Sequence, residues 1–355
     1  MPTPETLSWS APSTTPREIE AALRRLLVAC HAATGGCVPA RVLNLVCVVD
    51  KDMSGAFAER LLQAGRYHAS RTILCAVEPG RTTIGAVATL GMALQHSPGD
   101  FALLRETVTL DVGERHLPHL DTIVDPLVVS DLPTVVWSAH DHAEAVPVLL
   151  SLAQVVLLDS SDEPDARTAL AYACELLRSA YVVDLAWLRS TPWRERVAAA
   201  FDLPHRRAEL HAIRAVTVRH HPDSVVAGLL LLGWLASRLG WEPAPLERAG
   251  AGLAGVARAG GPIGLALDPD DRQPVRGLAG VTLETSSGRQ LSLDRGGGGL
   301  RVRERDPAGR ERRWTLVGAS RGEPGILGEG IRQALLRDAT FGPAADAARR
   351  LADEP

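Results

Sequence analysis

The segment "VLNLVCVV" at residues 42–49 is an almost unbroken apolar run. A strand that is buried on both faces of a parallel sheet has this valine- and leucine-rich composition. A helical pattern follows in "SGAFAERLLQAGRY", and a second apolar run, "RTILCAV", occupies residues 71–77. Strand, helix and strand at this spacing form a βαβ unit, which predicts a parallel sheet.

The same alternation of strand and helix continues through the first half of the chain. Further strand-like runs are "ETVTLDV" (106–112), "LPTVVWS" (132–138) and "VVLLDS" (155–160), and "EPDARTALAYACELLRSA" then has a helical pattern. The first helix is predicted at "TPREIEAALRRLL", where Thr15 and Glu18 form a capping box. We predict a flexible N-terminus over residues 1–15 and an α/β domain with a mostly parallel sheet over residues 16–205.

The second half has a different pattern. "IRAVTVRH" (213–220) is a strand, and two pairs of alternating runs surround turn residues at 281–294 and 300–318. Alternating runs separated by Ser-Ser-Gly or Asp-Pro-Ala-Gly are typical of hairpins. We predict an α+β domain with antiparallel hairpins over residues 206–355, with a loop or linker at "RAGAGLAGVARAGG" (248–261).

Composition and charge exclude several classes of partner. The chain has 355 residues and a net charge of −4, which gives no general attraction to nucleic acid or to anionic membranes. The N-terminus lacks the basic and apolar regions of a signal peptide. The longest apolar run, "VVAGLLLLGWLA", has 12 residues, whereas a bilayer crossing needs roughly 20. We therefore expect a buried helix there, a cytoplasmic location, and neither nucleic-acid nor membrane binding.

Motifs of common catalytic and cofactor sites are missing from the sequence. It has no phosphate-binding G-x-x-x-x-G-K-[ST], no nucleophile elbow and no H-E-x-x-H. Histidines collect in "HLPH" (116–119) and "HDH" (140–142), but the spacing supplies no third and fourth metal ligand. We expect no catalytic residue, no cofactor and no metal, and predict that the chain is not an enzyme.

The segment "LLDSSDEPD" (157–165) is the best candidate for binding a small molecule. It lies after a strand and before a helix, where open α/β sheets bind ligands, and Ser160 and Ser161 offer hydroxyls. The alternative is that Asp162 or Ser161 caps the helix, with acidic residues in its first turn.

The five cysteines leave two readings open. Cys30 and Cys37 flank "HAATGG" and have the spacing for a redox pair, whereas Cys47 lies in a strand-like run. Because no C-x-x-C pair is present, the alternative is that all five are reduced structural thiols.

The segment "DLAWLRSTPWRERVAAAFD" (184–202) places tryptophans and arginines together. Thr191 and Pro192 are predicted to begin a helix there. Tryptophan and arginine are the residue types most enriched at interface hot spots, although tryptophan is also commonly buried in cores. A partner surface and a core element both fit this composition.

Four short segments, taken in chain order, resemble those of a known protein family. They are "DLPTVVW" (131–137), "VVLLDSS" (155–161), "DLAWLRSTPWR" (184–194) and "LLLLGWLASRLGW" (229–241). Together they resemble the glucose-6-phosphate dehydrogenase assembly protein family, OpcA. The resemblance implies a non-enzymatic protein that binds glucose-6-phosphate dehydrogenase, promotes its active oligomer and supports the oxidative pentose phosphate pathway.

The residues that we predict to bind the dehydrogenase are Trp187, Arg189, Pro192, Trp193 and Arg194. Arg189 and Arg194 are the favoured contacts, and Trp187 is expected in the core. The rival interpretation makes the segment an internal staple, with Arg194 paired to a carboxylate inside the protein. The alternative function is a sugar-phosphate-binding enzyme or sensor that uses the strand ends near Asp131 and Asp159, with Ser160 and Ser161.

Overall fold

A computed structural model describes residues 6–34, 41–64, 69–93, 103–139, 142–318, 322–334 and 336–353. The chain divides into two compact units. The first comprises Met1–Leu158, Ser179–Val183 and Glu323–Leu336, and the second comprises Asp159–Arg178, Asp184–Gly322 and Arg337–Pro355. Each unit is therefore built from separate stretches of sequence, whereas we predicted one boundary, after residue 205.

The first unit contains an eight-stranded sheet. Its strands are β1 (Thr6–Ala11), β2 (Leu43–Asp50), β3 (Ser70–Val77), β4 (Gly85–Ala93), β5 (Leu103–Val112), β6 (Thr134–Ser138), β7 (Val155–Leu158) and β8 (Tyr181–Asp184). They lie in the order β1-β4-β5-β3-β2-β6-β7-β8.

The helices, numbered along the whole chain, are α1 (Pro16–Thr34), α2 (Ser54–Ala64), α3 (Leu120–Val124), α4 (Ala145–Leu149), α5 (Ala166–Leu176), α6 (Leu185–Arg189), α7 (Thr191–Ala200), α8 (Pro204–Leu210), α9 (Val225–Leu239), α10 (Gly322–Gln333) and α11 (Phe341–Ala352). At the start of α1 the predicted capping box is present, because the Thr15 amide donates to Glu18 Oε2 at 2.9 Å.

The centre of the first sheet is parallel, as predicted. Strand β2 pairs in parallel with β3 on one side and β6 on the other, and its residues from Leu43 to Val49 are buried. The pairings of β1 with β4 and of β4 with β5 are antiparallel. Residues 6–11 therefore form a strand, which corrects the predicted flexible N-terminus over that range. Strand β4 was also missed.

The second unit contains a nine-stranded, mostly antiparallel sheet. Its strands are β9 (Ile213–His220), β10 (Glu242–Pro243), β11 (Glu247–Ala249), β12 (Gly252–Arg258), β13 (Pro262–Pro269), β14 (Leu278–Thr285), β15 (Gln290–Gly296), β16 (Gly299–Arg305) and β17 (Glu311–Val317). The order is β10-β12-β13-β9-β14-β15-β16-β17, and β11 pairs with β12. Only β13 and β9 among these pairs run parallel.

Both predicted hairpins are present, as β14–β15 and β16–β17. The loop predicted at 248–261 is wrong, because most of it is β11 and β12, and β12 pairs with β13 along its length. The glycine- and alanine-rich sequence of β12 lacks the branched and aromatic side chains that mark strands in sequence. Its pairing partners supply the hydrogen bonds that fix it.

Helix α9 lies in the core of the second unit. Its residues from Val226 to Gly233 are buried. A Cβ atom added at Gly233 would lie 2.3 Å from the Ala344 carbonyl oxygen and 2.7 Å from the Ala348 nitrogen, so glycine permits the close approach of α11. Within the described residues, the stretch Pro222–Leu239 alone is long and apolar enough to span a membrane, judged by length and composition. Burial of 61% of this stretch fits the predicted core helix.

Three of the five cysteines are buried, and a fourth lies outside the described residues. Cys47 and Cys75 are buried, and burial raises the pKa of both thiols, that of Cys75 to about 12. Cys30 is buried in an apolar cluster with Leu90. Cys37 lies outside the described residues, so the structure does not decide between a redox pair with Cys30 and reduced structural thiols.

Candidate functional site

The segment 184–202 forms two short helices after a strand. Strand β8 ends at Asp184, whose side chain accepts a hydrogen bond from the Ala186 amide at 2.9 Å and so caps α6. Helix α7 follows at once, with Pro192 in its first turn. Thr191 lies inside α7, and Ser190, not Thr191, precedes the helix.

Asp184 is completely buried and joins α6 to the loop after β7. Its Oδ1 accepts the Ser160 amide at 3.1 Å, and the Ser160 hydroxyl donates to its Oδ2. Burial, together with the nearby charge of Asp159, raises the pKa of Asp184 to about 7 despite these donors. Ser160, proposed as a ligand-binding hydroxyl, is itself 3% exposed and engaged with Asp184.

Asp159 forms a two-point ion pair with Arg189. Arg189 Nη1 donates to Asp159 Oδ1 at 2.8 Å, and Arg189 Nη2 lies 2.6 Å from Oδ2. Such bidentate pairs fix both direction and distance. Asp159 Oδ1 also accepts the Ser161 amide at 3.1 Å. Asp159 and Arg189 therefore hold each other within the second unit.

The proposed capping of α5 is corrected by the structure. Asp165 is the N-cap residue, and its carboxylate accepts the Thr168 amide at 2.9 Å. Asp162 and Ser161 were the residues expected in this role. The helix therefore begins three to four residues later than the acidic cluster suggested.

Asp131 is not brought near Asp159. It lies in a turn before β6, whereas Asp159 follows the last residue of β7. Strands β6 and β7 are parallel neighbours, so Asp131 lies at the amino ends of these strands and Asp159 at their carboxyl ends. The structure therefore does not assemble the ligand site that we considered around Asp131 and Asp159.

The buried side chains of Trp187 and Arg194 form a polar cluster with the half-buried Asp338. The Arg194 guanidinium lies 3.4 Å from the centroid of the Trp187 ring. The Trp187 indole Nε1 donates to Asp338 Oδ2 at 2.8 Å, and Arg194 Nη1 lies 4.0 Å from the same oxygen. Phe341 packs beside the cluster, with its ring centroid 5.6 Å from that of Trp187.

Further hydrogen bonds hold Arg194 in place. Its Nη2 donates to the Thr191 hydroxyl at 2.9 Å and to the Trp187 carbonyl at 3.2 Å, and its Nε donates to the Ser190 hydroxyl at 3.1 Å. Burial lowers the pKa of Arg194 to about 10, and the charge of Asp338 opposes that shift. The guanidinium is therefore charged at neutral pH and satisfied from within the unit.

Hydrogen bonds from its neighbours stabilise the ionised form of Asp338. Burial opposes its ionisation, but hydrogen bonds from Thr340 and Trp187 outweigh that effect and lower the pKa of Asp338. Asp338 is 151 residues away from Trp187 in the chain, and nothing in its local sequence marks it. Asp184, which was also missed, had the signal of an aspartate directly before a helical run.

Burial corrects three of the predicted partner contacts. Trp187, Trp193 and Arg194 are 2%, 3% and 9% exposed, so their side chains are not available to a partner in this structure. Trp187 is in the core, as expected, and Arg194 faces the carboxylate of Asp338, as the staple interpretation required. Arg189 and Pro192 reach the surface, and partner binding by these two stays a prediction.

The histidine runs form no metal site in the described part of the chain. His116 Nδ1 accepts the Gly113 amide at 2.9 Å, within a short 3₁₀ helix. His142 Nε2 lies 3.0 Å from Asp50 Oδ1, while His140 lies outside the described residues. Among the residues that the structure describes, His, Cys, Asp and Glu side chains form no group suited to a metal ion.

Most of the chain matches domains of one known protein family. Two domains of the family described as "Glucose-6-phosphate dehydrogenase subunit" match it. Residues 62–175 match the N-terminal domain of that family, and residues 180–345 match its C-terminal domain. Both are OpcA domains, and they occur here in the order that their names give. The chain belongs to the OpcA family.

Curated relatives match over part of their length. A "Putative OxPP cycle protein OpcA" from Synechococcus elongatus is 27% identical over 200 residues, which cover 55% of this chain and 45% of the relative. A protein of the same name from Synechocystis sp. is 32% identical over 142 residues, which cover 39% and 30%. The chain therefore spans less than half the length of these relatives.

Solved structures resemble the chain only distantly. One is UDP-N-acetylglucosamine 3-dehydrogenase GnnA from Acidithiobacillus ferrooxidans, with a TM-score of 0.44 and 12% identity over 88% of this chain and 95% of that one. A likeness at this level carries nothing about the activity or cofactor of this chain.

Proposed function

We propose that this chain is a non-catalytic partner of glucose-6-phosphate dehydrogenase. It binds the enzyme in the cytoplasm, promotes the active oligomer and so raises flux through the oxidative pentose phosphate pathway. The observation that carries the proposal is that the matches over residues 62–175 and 180–345 are both to domains named for that dehydrogenase.

The geometry of the second unit disfavours the alternative function, a sugar-phosphate site at Asp159 and Ser160. The residues considered for a sugar-phosphate site are engaged with other protein groups, Asp159 with Arg189 and Ser160 with Asp184. Reacting groups must reach a substrate to act on it. These four side chains instead connect α6 with the loop that follows β7. Asp131 lies at the amino ends of strands β6 and β7, away from Asp159 at their carboxyl ends.

Kinetics of the purified dehydrogenase with and without the chain test this proposal. We expect the rate of NADP⁺ or NAD⁺ reduction with glucose 6-phosphate to rise with added chain and then saturate. The chain alone is expected to turn over neither glucose 6-phosphate nor its lactone. Steady turnover by the chain, in a preparation free of dehydrogenase, would contradict the non-catalytic assignment.

A further inference from the structure

The hairpin formed by β16, β17 and the turn between them, residues 299–317, is rich in arginine. We call it the arginine hairpin. It has six arginines (Arg301, Arg303, Arg305, Arg310, Arg312, Arg313) and three acidic residues (Glu304, Asp306, Glu311), which gives six minus three, or +3. The whole chain has a net charge of −4, so this hairpin is a local reversal of sign.

The pairing register gathers four of these arginines on one face. Arg303 on β16 lies directly opposite Arg313 on β17. Arg301 and Arg305 are two residues to either side of Arg303, so their side chains project from the same face. All four are exposed. Like charges placed directly opposite in a sheet repel each other and destabilise the pairing.

The carboxylates nearest to this face are already engaged. Asp294, opposite Arg301 on β15, pairs with Arg219 at 2.7 Å. Glu311, opposite Arg305, pairs with Arg313.

The remaining acidic residues of the hairpin are engaged elsewhere. Glu304 is buried and pairs with Arg206 and Arg289, and Asp306 pairs with Arg310 in the turn. Against four arginines, the exposed face of the hairpin therefore carries the single carboxylate of Glu311, among the residues that the structure describes. That leaves an excess of three positive charges on this face.

Strand β17 also has the features of an unfilled interface. It is the last strand in the sheet order, so its outer edge has no neighbouring strand in the described part of the chain. Six of its seven residues are exposed, including Trp314 at 41% and Val317 at 84%. Val317 projects from the same face as Arg313, whereas Trp314, opposite the buried Val302, projects from the other face of the hairpin. Arginine and tryptophan are both enriched at protein interfaces.

We propose that the arginine hairpin is the surface that docks on the dehydrogenase, and that it meets a patch of carboxylates there. The inference rests on the proposed function for its partner. The partner surface is acidic, because carboxylates facing the hairpin would balance its excess of three positive charges. A second copy of this chain is disfavoured, since its arginine hairpin would carry the same excess of positive charge.

The docking test uses a pair of charge reversals, Arg303→Glu with Arg313→Glu, in the full chain. The matched control is Arg272→Glu with Arg276→Glu, which changes the net charge equally at two exposed arginines of the loop between β13 and β14. Affinity for the dehydrogenase of the same organism is measured by titration at low and at moderate salt. We expect the hairpin pair to weaken binding at least tenfold and the control pair to change it less than threefold. Binding by the unmodified chain is expected to weaken with salt, as it does for charged interfaces.

The neutral pair, Arg303→Gln with Arg313→Gln, removes the repulsion between the two arginines and is expected to fold at least as well as the natural chain. It should bind with an affinity between those of the natural chain and the charge-reversed pair. Unchanged affinity in both hairpin pairs, with the natural chain binding well, overturns the docking surface and leaves the proposed function standing. If the arginines only protect an edge strand, the variants will self-associate in sedimentation while their affinity for the dehydrogenase stays the same, which also overturns the inference. A natural chain that does not bind the dehydrogenase refutes the proposed function itself.

Discussion

Arg194 carries a buried positive charge that is stabilised by the groups around it. Its guanidinium stacks on Trp187, donates to two hydroxyls and a carbonyl, and faces Asp338 at 4.0 Å. Burying a cation costs free energy that only such contacts offset. The arginine and tryptophan in "DLAWLRSTPWR" thus stabilise α6 and α7 against the segment around Asp338.

Replacing Arg194 separates stability from partner binding. We expect Arg194→Ala to lower the free energy of unfolding by about 2 kcal/mol, because hydrogen bonds from a charged group are lost. Urea unfolding measures this change, and the exposed Arg196→Ala on the same helix should stay within about 0.5 kcal/mol of the natural chain. The affinity of folded Arg194→Ala for the dehydrogenase should be unchanged. A tenfold weaker complex without a stability change would restore Arg194 as a partner contact.

Asp184 is predicted to make stability depend on pH. Its pKa is raised from 3.8 to about 7 in the folded chain, so the unfolded chain releases this proton at lower pH. The unfolded state is therefore favoured as the pH rises from about 4 to about 7, and the effect is constant above that range. Asp184→Asn keeps the acceptor for the Ala186 amide and cannot ionise.

The measurement is the urea midpoint of the natural chain and of Asp184→Asn at several pH values. The natural chain should lose stability relative to the variant between pH 4 and pH 7, with no further change at higher pH. The exposed Asp271→Asn controls for the removal of one carboxylate. A difference between the natural chain and Asp184→Asn that is the same at all pH values would show that Asp184 ionises normally.

The contact between helices α9 and α11 depends on Gly233. An added methyl group would lie 2.3 Å from a backbone oxygen of α11 and 2.7 Å from a backbone nitrogen. Backbone atoms cannot move aside as a flexible side chain would, so Gly233→Ala should cost about 1–3 kcal/mol. Gly342→Ala, in α11, is the control, since a methyl group added there would meet only a leucine methyl at 3.9 Å. Thermal unfolding of both variants checks this. Equal stability would mean that the two helices separate without cost.

Elements with a local signal were predictable from the sequence. The buried strands β2 and β3 follow from their apolar runs, and the hairpins of β14 to β17 follow from alternating residues around turn sequences. Strands β4 and β12 have weak intrinsic signals, and pairing with distant neighbours fixes them. The cap of α5 was misplaced because several residues before the helix, Ser161, Asp162 and Asp165, are all good capping types.

The arrangement of the candidate site was harder still to predict from the sequence, because residues far apart in the chain decide it. The composition of "DLAWLRSTPWR" indicated an arginine close to an indole, and the structure contains that pair. Whether the pair faces a partner or the interior depends on Asp338 and Phe341, which lie about 150 residues further along the chain. The exposed arginines of β16 and β17 were visible in the sequence, but their shared face required the register of the hairpin.

Across the chain as a whole, the two matched OpcA domains are named for glucose-6-phosphate dehydrogenase, which we propose as the partner. The second unit contains a cluster around Arg194 whose polar groups bond to one another, and an excess of positive charge on the exposed face of the arginine hairpin. We infer that the first maintains the fold and that the second meets the partner. In the proposed function, the chain acts through the oligomeric state of the dehydrogenase.

Sedimentation of the dehydrogenase with and without the chain, with activity assayed across the same gradient, tests this claim most directly. We predict that the enzyme shifts to a larger species, that the chain co-sediments with it, and that the specific activity is highest in those fractions. An enzyme whose sedimentation and specific activity are both unchanged at saturating concentrations of the chain would contradict the assembly role.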